Sequence, residues 1–339
     1  MVANHSVGRY GFTLLELIAV CAVVTILLAL LLPAVSAARE AVRRAHCSNN
    51  LRQIGLGLHS YEVSFRRFPA GYISDLTTGQ NGGGWGWGAK LLEFLDQVPL
   101  ANTLSTDRRS IDEVAANVRT AALLEARVQV YLCPSDAGDD LSHPFRSIPV
   151  SNSLANFPAR GFSSPTLVAW HVLPPSNPTS PSLIDRLARS NYIGSLGNGW
   201  KSRRPEWTES DFEGNGLFGR NTAVKMTQII DGSSNTLAIG ERCIRNYAAT
   251  WPGIIYRDDC GFRGNQMVLG TAFYPINEPP REFNFDCEGN GSANFSSNHS
   301  GGANFLFCDG SVHFLSQTVE MKIFGRLAQR NDGESVGGF

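Results

Sequence analysis

From Phe12 to Leu32 the chain is almost wholly apolar, and the run is interrupted once, by Glu16. Leu17 to Leu32 is 16 uncharged residues. Adding Phe12 to Leu15 brings the run to the roughly 20 residues that span a bilayer. After Pro33 the pattern becomes that of an amphipathic helix. Val35, Ala38, Val42 and Ala45 recur at helical spacing, then Leu51, Ile54, Leu58 and Tyr61, while Arg39, Arg43, Arg44 and Arg52 take the other side. A helix of this kind leaves a membrane and lays its apolar stripe on a sheet. Gly55 and Gly57 weaken the helix and mark close packing, and Phe68-Pro69-Ala70-Gly71 ends it. The expected helix runs from Phe12 to about Glu62, with Pro33 kinking or locally melting it.

Near the C-terminus the pattern changes to short apolar runs around turns. Asp309-Gly310 predicts a hairpin with a two-residue loop, both turn positions taking positive φ. That register puts Phe305 and Phe307 on one core-facing side with Val312 and Phe314. Leu306, Cys308, Ser311 and His313 then take the other side. Asp231-Gly232-Ser233-Ser234-Asn235-Thr236 is a run of turn and cap residues ahead of a strand, Thr236 to Ile239. Trp85 and Trp87 alternate as in a strand. They suit a core or a subunit contact, with a sugar-stacking surface as the alternative. The Pro-, Ser- and Asn-rich stretch from Ser142 to Ser182 reads as long surface loops.

Composition narrows the function classes. Charged residues are 17% of the 339 and the net charge is −1, so no global field favours nucleic acid. The local arginine cluster reads as a solvated or headgroup-facing side. Of seven cysteines, Cys21 lies in the apolar run; the other six allow 15 disulfide connectivities. No cysteine pair has a C-x2-C spacing, so no metal site is expected. His299, Asp309 and His313 have the residue types of a metal or acid–base cluster. Asp309 is already explained by its turn, so the expected roles of His299, Asp309 and Gly310 are structural, His299 fixing the start of the hairpin. Glycine-rich 82–88 lacks the Lys-Ser/Thr ending of a phosphate loop, and no serine sits in a G-x-S-x-G elbow. No enzyme and no bound cofactor are expected. Asp136, Asp139 and Asp140 form an acidic loop that reads as a solvated turn, with calcium as the alternative ligand.

The N-terminus admits three readings. A removed signal would use Arg9, the apolar run and a cut within Ala34 to Ala38. A plain anchor needs only the length. Neither gives Glu16 a role, and an acidic residue at a membrane helix centre costs about 2.5–3.5 kcal/mol. The third reading rests on Gly11-Phe12-Thr13-Leu14-Leu15-Glu16, which resembles the leader junction of type IV prepilins and type II secretion pseudopilins. The resemblance implies cleavage after Gly11 by a prepilin peptidase and methylation of the new N-terminus at Phe12. It also implies a role for Glu16 in meeting the charged N-terminus of a neighbouring subunit.

Further marks resemble a large bacterial family of pilin-like proteins designated domain of unknown function 1559. They are Cys47 to Leu56 with Phe68-Pro69, Gly84-Trp85-Gly86-Trp87, Leu132-Cys133-Pro134-Ser135-Asp136, Asn191-Tyr192, Asp231 to Thr236 with Gly240-Glu241, and His299 followed by Asp309-Gly310. The resemblance implies an α+β, pilin-like fold, with a long N-terminal helix on an antiparallel sheet with long loops. It divides the chain into a leader (1–11), a membrane and assembly helix (12–32), its amphipathic continuation (33–62) and a globular domain (63–339). It also implies a Cys47–Cys133 disulfide, because the family pattern carries cysteine at both places, and it gives calcium a precedent among pseudopilins. The implied partners are other pilin-like subunits through the N-terminal helix, the peptidase and the membrane, with no nucleic acid. The implied location is the inner membrane, single-pass, with the globular domain exported to the periplasm or cell surface. The alternative is an exported or tethered ligand-binding protein with an ordinary signal or anchor. A hydrolase using His299 and Asp309 is a third class.

Overall fold

A computed structural model describes residues 14–73, 84–136, 141–142, 187–198, 214–246, 249–254, 267–279, 294–334 and 336. The chain divides into two units, residues 1–45 and 46–339. Helix α1, Leu14–Phe65, contributes to both. In the first unit its large apolar side chains, from Leu14 to Leu32, all stand exposed. An 18-residue window there has mean hydropathy 2.9, long and apolar enough to cross a membrane. The helix continues through Pro33 without a break. The expected local melting does not occur: a proline removes one backbone hydrogen bond, and the turns on either side are good helix formers.

In the second unit α1 buries one stripe: Cys47, Asn50, Leu51, Ile54, Gly55, Gly57 and Leu58. This stripe meets a five-stranded sheet. Its strands are β1 (Tyr192–Gly197), β2 (Leu237–Glu241), β3 (Leu269–Thr271), β4 (Gly302–Phe307) and β5 (Val312–Ser316). The spatial order is β3-β1-β2-β4-β5. All neighbours are antiparallel except the edge pair β3–β1, which is parallel. The described residues thus form an α+β body.

Every residue of β4 is buried, because the sheet is covered on both faces. Leu306 and Cys308 share a core with Cys47, Leu51, Ile54 and Leu58 of α1. Ala303, Phe305 and Phe307 share a second core with Phe324 and Leu327 of the short helix α2, Met321–Leu327. Phe295, Phe305 and Phe324 stack edge to face at 5.1–6.0 Å. Gly55 sits at the closest approach of α1 to β4, where a Cβ would lie 2.8 Å from Leu306 Cδ1.

The hairpin departs from its expected register by one residue. Leu306 faces Val312 and Phe305 faces His313. The loop is three residues, 308–310, closed by Phe307 N donating to Ser311 O at 2.9 Å and Gly310 N donating to Phe307 O at 3.0 Å. Only Gly310 takes a positive φ, +88°. Asp309 instead accepts from Ser311 N (2.8 Å) and Ser311 Oγ (2.6 Å). A one-residue shift exchanges the faces of a strand. Val312 therefore joins Leu306 on the α1 side, and His313 lies opposite Phe305. Trp85 and Trp87 are both buried, donating to Arg109 O (2.7 Å) and Val268 O (3.0 Å). They line a core and offer no sugar-stacking surface.

Candidate functional site: a buried cluster of Cys47, Cys133, Glu241 and His299

Three segments far apart in sequence converge against α1. The helix presents Cys47 and, one turn on, Asn50. The segment Leu132 to Asp136 is tied to the helix by Asn50 Nδ2 donating to Leu132 O (2.8 Å). Strand β2 ends in Glu241, and His299 precedes β4. Cys47 and Cys133 are joined by a disulfide across 86 residues. His299 Nε2 lies 3.6 Å from Cys133 Sγ and 3.5 Å from Glu241 Oε1, with both His299 and Glu241 side chains buried. Glu241 is held on its other side by Asn304 of β4, whose backbone N and Nδ2 donate to it at 2.8 and 2.9 Å. Tyr192 OH donates to Cys47 O at 3.1 Å. Burial, and secondarily the charge of Glu241, pushes the Tyr192 phenol well above its ordinary pKa.

Asp136 is the centre of an adjoining buried network. Its Oδ2 accepts from Arg189 Nη1 (3.1 Å), Asn191 Nδ2 (2.5 Å) and Ile244 N (2.9 Å). Its Oδ1 accepts from Asn298 Nδ2 (2.8 Å). Asn191 also accepts from Cys133 N at 2.9 Å, which links the two networks. Four donors, one of them a guanidinium, hold this carboxylate. That corrects the reading of Asp136 as a solvated turn residue: its side chain is buried and hydrogen-bonded within the body. Asp139 and Asp140 lie outside the described residues.

The cluster suggested by His299, Asp309 and His313 is not assembled. His299 turns inward to Glu241 and the disulfide. Asp309 and His313 are exposed, and both contact Ser311. In the sequence Glu241 and Asn191 stand only as parts of wider motifs, and nothing there singles out Asn304 or Arg189. The available signal was a carboxylate closing an otherwise apolar strand, Leu237-Ala238-Ile239-Gly240-Glu241. Two further described cysteines of the body, Cys243 and Cys308, are buried free thiols. Burial raises both pKa values. Cys260 and Cys287, like the processing positions Gly11 and Phe12, lie outside the described residues. Glu16 is exposed in the first turns of α1.

The described elements define a class: an α+β body, stapled by a disulfide to the second half of a helix whose first half is an exposed apolar span. A family model described as a protein of unknown function (DUF1559) matches residues 36–322, and the chain belongs to that family. No curated protein and no solved structure matches it.

Proposed function

We propose that the chain is a structural subunit of a type IV pilus-like or type II secretion pseudopilus-like assembly. A prepilin peptidase cuts between Gly11 and Phe12 and methylates Phe12. The apolar half of α1 holds the subunit in the inner membrane, single-pass, and later packs with its copies in a fibre core. Glu16 then meets the charged N-terminus of a neighbouring subunit. In a low-dielectric helix bundle such a pair attracts strongly, and breaking it leaves a costly lone charge. The body serves as the exported head, and no catalysis is assigned to it.

The observation that carries this reading is the division of labour within the 52-residue α1. Its first half exposes its large apolar side chains, while its second half buries one stripe on the sheet. The Cys47–Cys133 disulfide supports an oxidising, exported location for the body.

Mass spectrometry of the N-terminal peptide from native cells tests the reading. A mature chain beginning at N-methylated Phe12 is the expected result. A start near Ala37 or Ala38 would replace it with a secreted ligand-binding protein, and an intact Met1 with a simple anchor.

A further inference from the structure

The geometry points to a second state of the buried cluster: with the disulfide reduced, Cys47 Sγ, Cys133 Sγ, His299 Nε2 and a Glu241 carboxylate oxygen bind one zinc-class divalent cation. The four ligand atoms lie within 4.8 Å of one another. Zinc binds sulfur at about 2.3 Å and nitrogen or oxygen at about 2.0–2.1 Å in tetrahedral sites. The edges of that tetrahedron are about 3.5–3.6 Å from sulfur to nitrogen and about 3.3–3.4 Å from nitrogen to oxygen. The observed separations are 3.6 Å from Cys133 Sγ to His299 Nε2 and 3.5 Å from His299 Nε2 to Glu241 Oε1. Two of the edges are already present, and reduction lets the sulfurs part to the about 3.8 Å that a metal requires.

The donor set also selects the cation. Two thiolates, an imidazole and a carboxylate suit a borderline-soft ion in tetrahedral geometry, not calcium or magnesium. The supporting shell is in place. Asn304 donates twice to Glu241 and fixes its orientation, as outer-shell groups do around ligating carboxylates. Tyr192 OH holds the backbone carbonyl of Cys47. One turn of helix, a loop, a strand end and a strand start bring the ligands together, so no local cysteine spacing announces the site.

The chemistry balances with a dithiol as reductant. Its two thiols give two electrons and two protons to the Cys47–Cys133 bond and become a disulfide. Zinc then displaces the two thiol protons of Cys47 and Cys133 to solvent. The ligands are buried, so the choice between the states falls at folding. A chain that folds in a reducing compartment closes around the metal, and one that folds in an oxidising compartment closes the disulfide. This ligand set lies wholly within residues 46–339 and does not depend on fibre assembly.

The test uses the full-length chain in detergent micelles, unfolded in guanidinium with TCEP. It is refolded anaerobically with one equivalent of zinc, with EDTA, or with a glutathione redox buffer. Metal content after desalting, circular dichroism and mass-spectrometric mapping of alkylated cysteines are read together. Expected are one retained zinc per reduced chain, native-like dichroism, and protection of both Cys47 and Cys133 from alkylation. The oxidised chain retains none. Cobalt in place of zinc shows thiolate charge-transfer absorption, and H299Q weakens cobalt binding by at least about 100-fold, since losing even an outer-shell group costs about 10–100-fold. Zinc retained equally by the oxidised chain would overturn the proposal. So would a reduced chain that binds no zinc, or one in which zinc leaves Cys47 and Cys133 open to alkylation.

Discussion

Asp136 and Glu241 are carboxylates inside a protein core, and each is tolerated because donors surround it. Asp136 takes four and Glu241 two from Asn304, with His299 beside it. Removing one partner of a buried, hydrogen-bonded charge typically costs about 3–5 kcal/mol, because the other charge stays behind unpaired. Asp136→Ala should therefore fall in that range, measured by urea unfolding, with Asp136→Asn retaining part of the network and losing less. His299→Ala is expected to lower folded yield, not to remove a catalytic activity; a well-folded variant lacking a hydrolytic activity would favour the enzyme reading instead. The buried thiols and phenols give a pH prediction. Burial raises the native pKa of Cys243, Cys308, Tyr131 and Tyr192. In the unfolded chain these groups ionise above about pH 8.5 for cysteine and about pH 10 for tyrosine. Their contribution to stability is full below those values and is lost as pH rises beyond them. The urea midpoint should fall steadily above about pH 8.5, and Cys308→Ala should flatten the start of that fall. At neutral pH, iodoacetamide should modify Cys243 and Cys308 only after unfolding.

At the scale of elements, the second half of α1 is fixed to the sheet by a stripe, a staple and a close approach. Gly55→Val would raise helix propensity by a few tenths of a kcal/mol. Its side chain would also meet Leu306, a fully buried residue of β4. Overpacking typically costs about 1–3 kcal/mol, so net destabilisation is expected, seen as a lower urea midpoint. For the staple, chain entropy for an 86-residue separation sets an upper scale of about 4–5 kcal/mol. The double variant C47A/C133A should lose about 2–5 kcal/mol of stability. The lower part of the α1 stripe, Leu51, Ile54 and Leu58, was legible in the sequence from its helical period, whereas Val35, Ala38, Val42 and Ala45, which continue the same period, stand exposed because no sheet lies against them among the described residues of their unit. The hairpin was legible only as a hairpin. Its register turned on whether Cys308 belonged to the strand or to the loop, and Asp-Gly chemistry permits both. The hydrogen bond from Cys308 N to Thr236 O, at 2.9 Å, ties Cys308 to the segment entering β2 and accompanies the longer loop.

At the scale of the whole molecule, the two units ask for different surroundings. Residues 14–32 expose apolar side chains that water does not tolerate, whereas residues 46–339 bury two apolar cores. The full chain should therefore need detergent to stay dispersed. Under the fibre reading, Glu16→Ala should leave peptidase processing and membrane insertion intact while fibre yield falls steeply. Equal yield of sheared fibres from the variant and the parent would remove the charge pair from the mechanism. The body should tolerate that substitution with an unchanged urea midpoint, since its cores lie wholly outside residues 1–45.

The sequence by itself determined what is local or periodic. It set the apolar span, the buried repeat Leu51, Ile54 and Leu58, the turn residues at Gly232 and Gly310, and the order of motifs that carries the family. These follow from helical period, backbone sterics and residue type, which act over a few neighbours. Only the tertiary structure decided which side chains meet across long separations. It left Asp309 and His313 in solvent and turned His299 inward to a glutamate 58 positions earlier in the chain. It made Asp136 a buried hub, and it closed β4 between two cores. Those outcomes depend on which faces bury together and which polar groups must then be satisfied inside, and that balance is struck by the whole fold at once.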